Sequence, residues 1–105
     1  MQMLLNGGDY NGKHILSKNT IRLMTTSQTN NLGITFGLGF QVVTDADAAK
    51  NTASPGTFAW GGMFASSYWI DPKEKIVAQF VLQQYPYSHG DIAEKFKVAV
   101  YQALK

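Results

Sequence analysis

The sequence predicts an α+β domain in which an antiparallel β-meander packs against N- and C-terminal helices. Two observations carry that expectation: three short apolar runs at 57–61, 64–71 and 75–84, separated by turn residues, and an amphipathic stretch that closes the chain. A third bounds it. At 105 residues with 45% apolar content, the chain holds material for one core and one domain, residues 1–105.

The elements follow in order. Gln2 to Asn6 reads as the last turns of a helix stopped by Gly7-Gly8, because glycine after a leucine pair supplies a left-handed cap. Its missing upstream turns suggest a chain cut from something longer, with a short N-terminal helix as the alternative. Ser17 can cap a helix running to about Thr26, with Leu16 and Ile21 spaced as a hydrophobic staple. The stretch 34–44, ITFGLGFQVVT, alternates Phe36, Leu38, Phe40 and Val42 on one face and predicts a strand. Residues 45–56, DADAAKNTASPG, read as a loop and as the stretch most prone to disorder.

The meander comes next, with Asp71-Pro72-Lys73-Glu74 as a type I turn between its last two strands. Its final run, KIVAQFVLQQ, is apolar on both faces, the pattern of a strand interior to a sheet rather than at its edge. Ser88 to Asp91 forms a capping-box arrangement, and Tyr87 can staple to Ile92. Ile92, Phe96, Ala99, Val100, Ala103 and Leu104 then mark the sheet-facing stripe of a C-terminal helix.

Charge and composition exclude several functions. Nine basic residues against seven acidic ones give a net charge of +2, scattered from Lys13 to Lys105 without a cluster, so neither nucleic acid nor an anionic membrane is an expected partner. Cysteine is absent, which removes disulfides, thiolate zinc sites and thiol catalysis. No run approaches the ~18 apolar residues of a membrane span, and MQMLLNGGDY lacks the basic start of a signal peptide.

Local motifs for chemistry are incomplete. Gly37-Leu38-Gly39 lacks the third glycine of a dinucleotide fingerprint; FGLGF also resembles the carboxylate-binding loop of PDZ modules, but helix order argues for a plain strand. His14 and His89 have no partner at helical spacing, and Asp45-Ala46-Asp47 lacks the rest of a calcium loop, so no metal and no cofactor is expected. No G-x-S-x-G and no S-x-x-K occurs; Ser17-Lys18-Asn19 fits S-x-N but stands where a helix cap is wanted.

From Met3 onward the chain resembles the C-terminal region of the serine β-lactamase-like family, which includes class C β-lactamases, penicillin-binding proteins and related esterases. The likeness rests on MLLNGGDYNGKHILSKNTIRLMTT, FGLGFQVV, and a Trp-Gly-Gly followed by the hairpin SSYWIDPKEKIVAQFVLQQYP, in that order and spacing. It implies a partial β-lactamase-like α/β domain. It also implies that Trp60, Gly61 and Gly62 take the place of the family's third box, K-T-G, at the substrate pocket, where glycines let substrate lie close to the strand. By the same likeness the backbone N–H of Met63 is the second oxyanion donor. A tryptophan in place of the lysine disfavours β-lactam carboxylate recognition and favours esterase or peptidase-like relatives.

On that resemblance the chain carries no catalytic residue of its own, and is expected to be a hydrolase fragment that is inactive alone. Strand 76–84 would then lack a neighbour, and its expected partner is a separately made N-terminal part of the domain or a second copy in a twofold homodimer. The other reading is a non-catalytic interaction module that associates through the same edge. The parent protein's compartment stays open between cytoplasm and periplasm.

Overall fold

The structure, a computed structural model, describes residues 1–86 and 90–104. Helix α1 (Gln2–Leu5) ends as the double glycine dictates: the Gly8 N–H reaches the Met3 carbonyl at 2.9 Å and the Gly7 N–H the Leu4 carbonyl at 3.1 Å, a Schellman closure. A two-residue hairpin follows, β1 (Asp9–Tyr10) and β2 (Lys13–His14), turned by Asn11 and Gly12 with φ of 52° and 74°. Ser17 then caps α2 (Lys18–Met24) by accepting from the Thr20 N–H at 3.0 Å, and Ile21 is buried.

The strand expected over 34–44 is a correction. Only β3 (Gln41–Val42) is extended there, because the chain reverses at FGLGF: the Gly37 N–H bonds to the Phe40 carbonyl at 2.7 Å, and Phe36 pairs back with Gln41. The same turn docks on the end of α2, where the Leu38 N–H meets the Met24 carbonyl at 2.9 Å and a Cβ on Gly37 would collide with that oxygen. Two-residue periodicity arose here from a turn, not from a strand.

Residues 45–56 correct a second expectation. They open with α3 (Asp45–Ala48), held by a capping box between Thr44 and Asp47, which the acidic spelling of the segment had hidden. The rest is docked: Ala53 is buried, Thr52 Oγ1 donates to Glu94 Oε1 at 3.1 Å, and Lys97 Nζ donates to Asn51 Oδ1 at 3.2 Å.

Strands β4 (Phe58–Gly61), β5 (Ser67–Asp71) and β6 (Ile76–Phe80) complete an antiparallel sheet of order β3-β4-β5-β6. Register fixes its faces. Phe58 lies opposite Ile70 and Val42, so one face joins Phe40, Val42, Phe58 and Ile70 into a core on which Leu4, Leu5 and Met24 pack. Trp69 lies opposite Ala59 and Ala78 on the other face, where α4 (Ile92–Gln102) sets Phe96 against Trp69 at 5.8 Å and Phe80 at 5.1 Å between ring centroids. The fold is thus α+β, as expected.

The last two elements depart from their local sequence patterns. Within this chain β6 is an edge strand, paired with β5 alone among the described residues, although its sequence reads as an interior one. On α4, the sheet-facing stripe is Ala93, Phe96, Lys97, Val100 and Tyr101; Ile92, Ala99, Ala103 and Leu104 are exposed. The stripe rotates because Tyr101 is drawn inward to a buried carboxylate. The expected Ser88 capping box and Tyr87 staple lie outside the described residues, and Asp91 instead pairs with Lys95 at 2.6 Å. No described helix is long and apolar enough to cross a membrane.

That carboxylate is Asp71, fully buried at 0% exposure. Its Oδ1 accepts from the N–H groups of Lys73 and Glu74, each at 3.0 Å, and its Oδ2 from the Tyr101 hydroxyl at 2.6 Å and the Ser54 N–H at 3.3 Å. Burial pushes the acid upward, but the hydrogen bonds from Tyr101, Glu74 and Ser54 outweigh it and hold the group below its usual range. Burial and the adjacent carboxylate push the Tyr101 hydroxyl up, so it stays a donor.

Because the folded state binds the Asp71 proton less tightly than the unfolded chain, this contribution to stability is present above the ordinary carboxylate range and lost as pH falls through it. Urea midpoints should therefore hold from neutrality to about pH 5 and drop below about pH 4. Asp71→Asn should lower stability by roughly 1.5–3 kcal/mol at neutral pH and blunt the acid-side loss. Tyr101→Phe added to Asp71→Asn should cost less than Tyr101→Phe in the native chain, as a double-mutant cycle reads it.

Candidate functional site at the Trp60-Gly61-Gly62 hairpin

The four residues singled out by sequence, Trp60, Gly61, Gly62 and Met63, sit together at the end of β4 and on the connection into β5. The hairpin closes through the Gly62 N–H on the Ser66 carbonyl at 2.9 Å and the Ala65 N–H on the Gly62 carbonyl at 3.2 Å. Its return leg comes very close. A Cβ on Gly61 would lie 2.9 Å from the Ser66 carbonyl oxygen, and one on Gly62 would lie 2.7 Å from Ser66 Oγ. At Gly61 the hairpin backbone itself leaves no room for a side chain, a reason separate from room for a substrate, whereas at Gly62 the neighbour is a serine hydroxyl that can turn away. Ala65, at φ 71°, holds the left-handed conformation that alanine adopts only under constraint.

Trp60 faces the same side as Tyr68 across the ladder and stands edge-on to Phe36, with 5.1 Å between ring centroids. It is 51% exposed. Met63 is 72% exposed and Phe64 47%, the latter held edge-on by Tyr85 at 5.9 Å. No described residue accepts a hydrogen bond from the Met63 N–H. The hairpin thus presents three backbone N–H groups without a described acceptor, those of Met63, Phe64 and Ser66, beside aromatic and thioether surface.

Toward α4 the same glycines border a groove of about 460 Å³ whose floor includes Trp69 and whose wall includes Glu94 and Lys97. Both charged groups are engaged, with Thr52 and Asn51 respectively, so they act as ties between α4 and the 51–54 segment. Nothing here forms a nucleophile–base pair: among the described residues no serine hydroxyl bonds to lysine, histidine or tyrosine. Ser17 is occupied as a helix cap, Asp47 by Thr44, and His14 Nδ1 by Asp9 at 2.7 Å. No described group of His, Cys, Asp or Glu could hold a metal ion, and His89 lies outside the described residues.

Sequence reasoning missed the Asp71–Tyr101 pair, which positions α4 behind this site. A signal existed, since an Asp ahead of a proline turn offers its carboxylate to the N–H groups two and three residues on. The reach to Tyr101 had none.

The four-stranded antiparallel sheet with helices on both faces has the architecture of a partial β-lactamase-like domain. Comparisons with known proteins agree. No protein-family model matches the chain. It is 36% identical, over 75 residues and 69% of its length, to a protein of Escherichia coli O157:H7 named "Putative D-alanyl-D-alanine carboxypeptidase", of which it covers 17%. It is 28% identical over 102 residues, 82% of its length, to Protein Rv1367c of Mycobacterium tuberculosis, of which it covers 25%. Among solved structures, EstCE1, a hydrolase with promiscuous acyltransferase activity, matches 95% of this chain and 27% of its own with a TM-score of 0.74 and 27% identity. The chain is related to the serine β-lactamase-like proteins and spans about a quarter or less of the curated relatives it matches.

Hairpin geometry sets opposite outcomes at neighbouring positions. Gly61→Ala should destabilise by about 1–3 kcal/mol, because its methyl group displaces the oxygen that accepts the Gly62 N–H. Ala65→Gly should stabilise by roughly 1 kcal/mol by relieving the left-handed alanine. Chemical denaturation of the two variants beside the native chain measures both.

Proposed function

We propose that this chain is the third-box portion of a larger serine β-lactamase-like hydrolase of esterase or peptidase type. In this reading Trp60, Gly61 and Gly62 form one wall of the substrate pocket and the Met63 N–H is one of two oxyanion donors. The serine nucleophile and its lysine lie in a part of the protein outside these 105 residues. A tetrahedral intermediate requires a nucleophile, a base and preorganised donors, and the chain brings only a donor and a wall, so alone it does not turn over. The exposed Trp60–Met63 turn at the end of β4, whose Met63 N–H meets no described acceptor, is the observation that carries the proposal. The resemblance of the whole sheet to a quarter of a hydrolase supports it.

The test is a chimera in which residues 3–104 replace the matching quarter of EstCE1. A folded chimera should hydrolyse an activated ester, and the chain alone should not. Met63→Pro, which deletes the donor, should lower kcat by about 10²–10³ with a smaller change in KM. A folded chimera without hydrolysis, or turnover by the isolated chain, overturns the reading.

A specific observation also favours the association reading. Strand β6 has one neighbouring strand among the described residues, and residues 76–84 carry no charge and no proline, the usual devices that protect a sheet edge. The exposed Ile92 and Leu104 of the C-terminal segment add further uncovered apolar surface. The partner is the remaining part of the domain or, in its absence, a second copy paired strand to strand. Sedimentation velocity of the isolated chain at micromolar concentration should show dimer; a monomer throughout overturns self-association.

A further inference from the structure

Two Asn-Gly pairs stand near the start of the chain, Asn6-Gly7 and Asn11-Gly12, and the sequence contains no others. Asparagine before glycine is open to attack by its own backbone, because glycine has no side chain to shield the following nitrogen. The fold treats the two pairs in opposite ways.

Asn6 closes α1, and its side chain is held at both ends: Oδ1 accepts from Gln2 Nε2 at 2.9 Å and Nδ2 donates to the Asp9 carbonyl at 3.2 Å. The nitrogen that would attack it is also engaged, since the Gly7 N–H donates to the Leu4 carbonyl at 3.1 Å. Behind them Gly8 is buried against Leu16, whose N–H bonds to the Gly8 carbonyl at 3.1 Å, so freeing Asn6 means undoing a docked helix end. Asn11 sits instead at an exposed turn. Among the described residues nothing bonds to its side chain or accepts from the Gly12 N–H, and no atom lies within 4 Å of where a Gly12 side chain would begin. Ring closure needs the Asn11–Gly12 peptide to swing toward the asparagine side chain. The hairpin resists this weakly, because it has only the pairs Asp9–His14 and Tyr10–Lys13, with all four residues exposed.

We infer that Asn11 is a site of spontaneous modification, converting to isoaspartate and aspartate, and that the fold protects Asn6 from the same reaction. The Gly12 nitrogen, having given its proton to solvent base, attacks Asn11 Cγ; the bond from Cγ to Nδ2 breaks and that nitrogen leaves as ammonia. Water then opens the cyclic imide at one of its two carbonyls. Opening at the side-chain carbonyl gives aspartate, and opening at the main-chain carbonyl gives isoaspartate, which routes the chain through the former side chain. Either product lowers the net charge of +2 by one. Isoaspartate also adds a backbone carbon to the turn that sets the register of Tyr10 and Lys13.

Peptide mapping of the native chain tests this, with samples kept warm at mildly alkaline pH, folded in buffer or unfolded in concentrated urea. Fragmentation mass spectrometry tells isoaspartate from aspartate. In urea the two pairs should convert at similar rates. In the folded chain Asn11 should convert roughly tenfold faster than Asn6 or more, the ratio for a difference of about 1.4 kcal/mol in the cost of opening. Equal rates in the folded chain, faster conversion at Asn6, an intact Asn11 after the urea sample has reacted, or the same ratio with and without urea overturns the inference.

Discussion

The Asp71 carboxylate is the constraint around which one side of the molecule is organised. A buried charge is tolerated only with a full set of donors, and here they come from three places: the turn that follows it, the 51–54 segment, and the far end of α4. Each donor is therefore fixed relative to β5. Once Tyr101 is anchored, Phe96 has one place to go, between Trp69 and Phe80, and that packing sets the second layer of the fold. Trp69 also stacks on the same phenol, with 6.5 Å between ring centroids.

The opposite face owes its shape to apolar burial. Phe40, Val42, Phe58 and Ile70 form its centre, and short helices from the first quarter of the chain cover it. Between the two layers, β4 runs out into a hairpin with little covering either side. Support at the base and openness at the tip leave the Trp60–Met63 turn exposed on a strand end that the sheet holds in place.

Sequence reading recovered what depends on local pattern: the helix caps at Gly7 and Ser17, the three meander strands, the Asp71–Glu74 turn and the C-terminal helix. It failed where tertiary contacts override pattern. FGLGF alternates like a strand, yet the end of α2 offers a carbonyl that only a turn with Gly37 can meet. Residues 45–56 look soluble and loose, yet Thr44 caps them and α4 holds them. The rotated stripe of α4 follows from one hydroxyl thirty residues away from its acceptor, a distance no periodicity reports. The Trp-Gly-Gly hairpin was legible as a place of close backbone approach, but the sequence did not say that Ser66 is what approaches.

The sheet runs β3-β4-β5-β6 with every neighbour also the next strand in the chain. Such an order asks for no long excursion before a pairing forms, so loop-closure entropy is low and assembly is rapid. A polypeptide built this way arrives at any partner with its ladder already zipped. The entropy of ordering the four strands is then met by contacts within this chain.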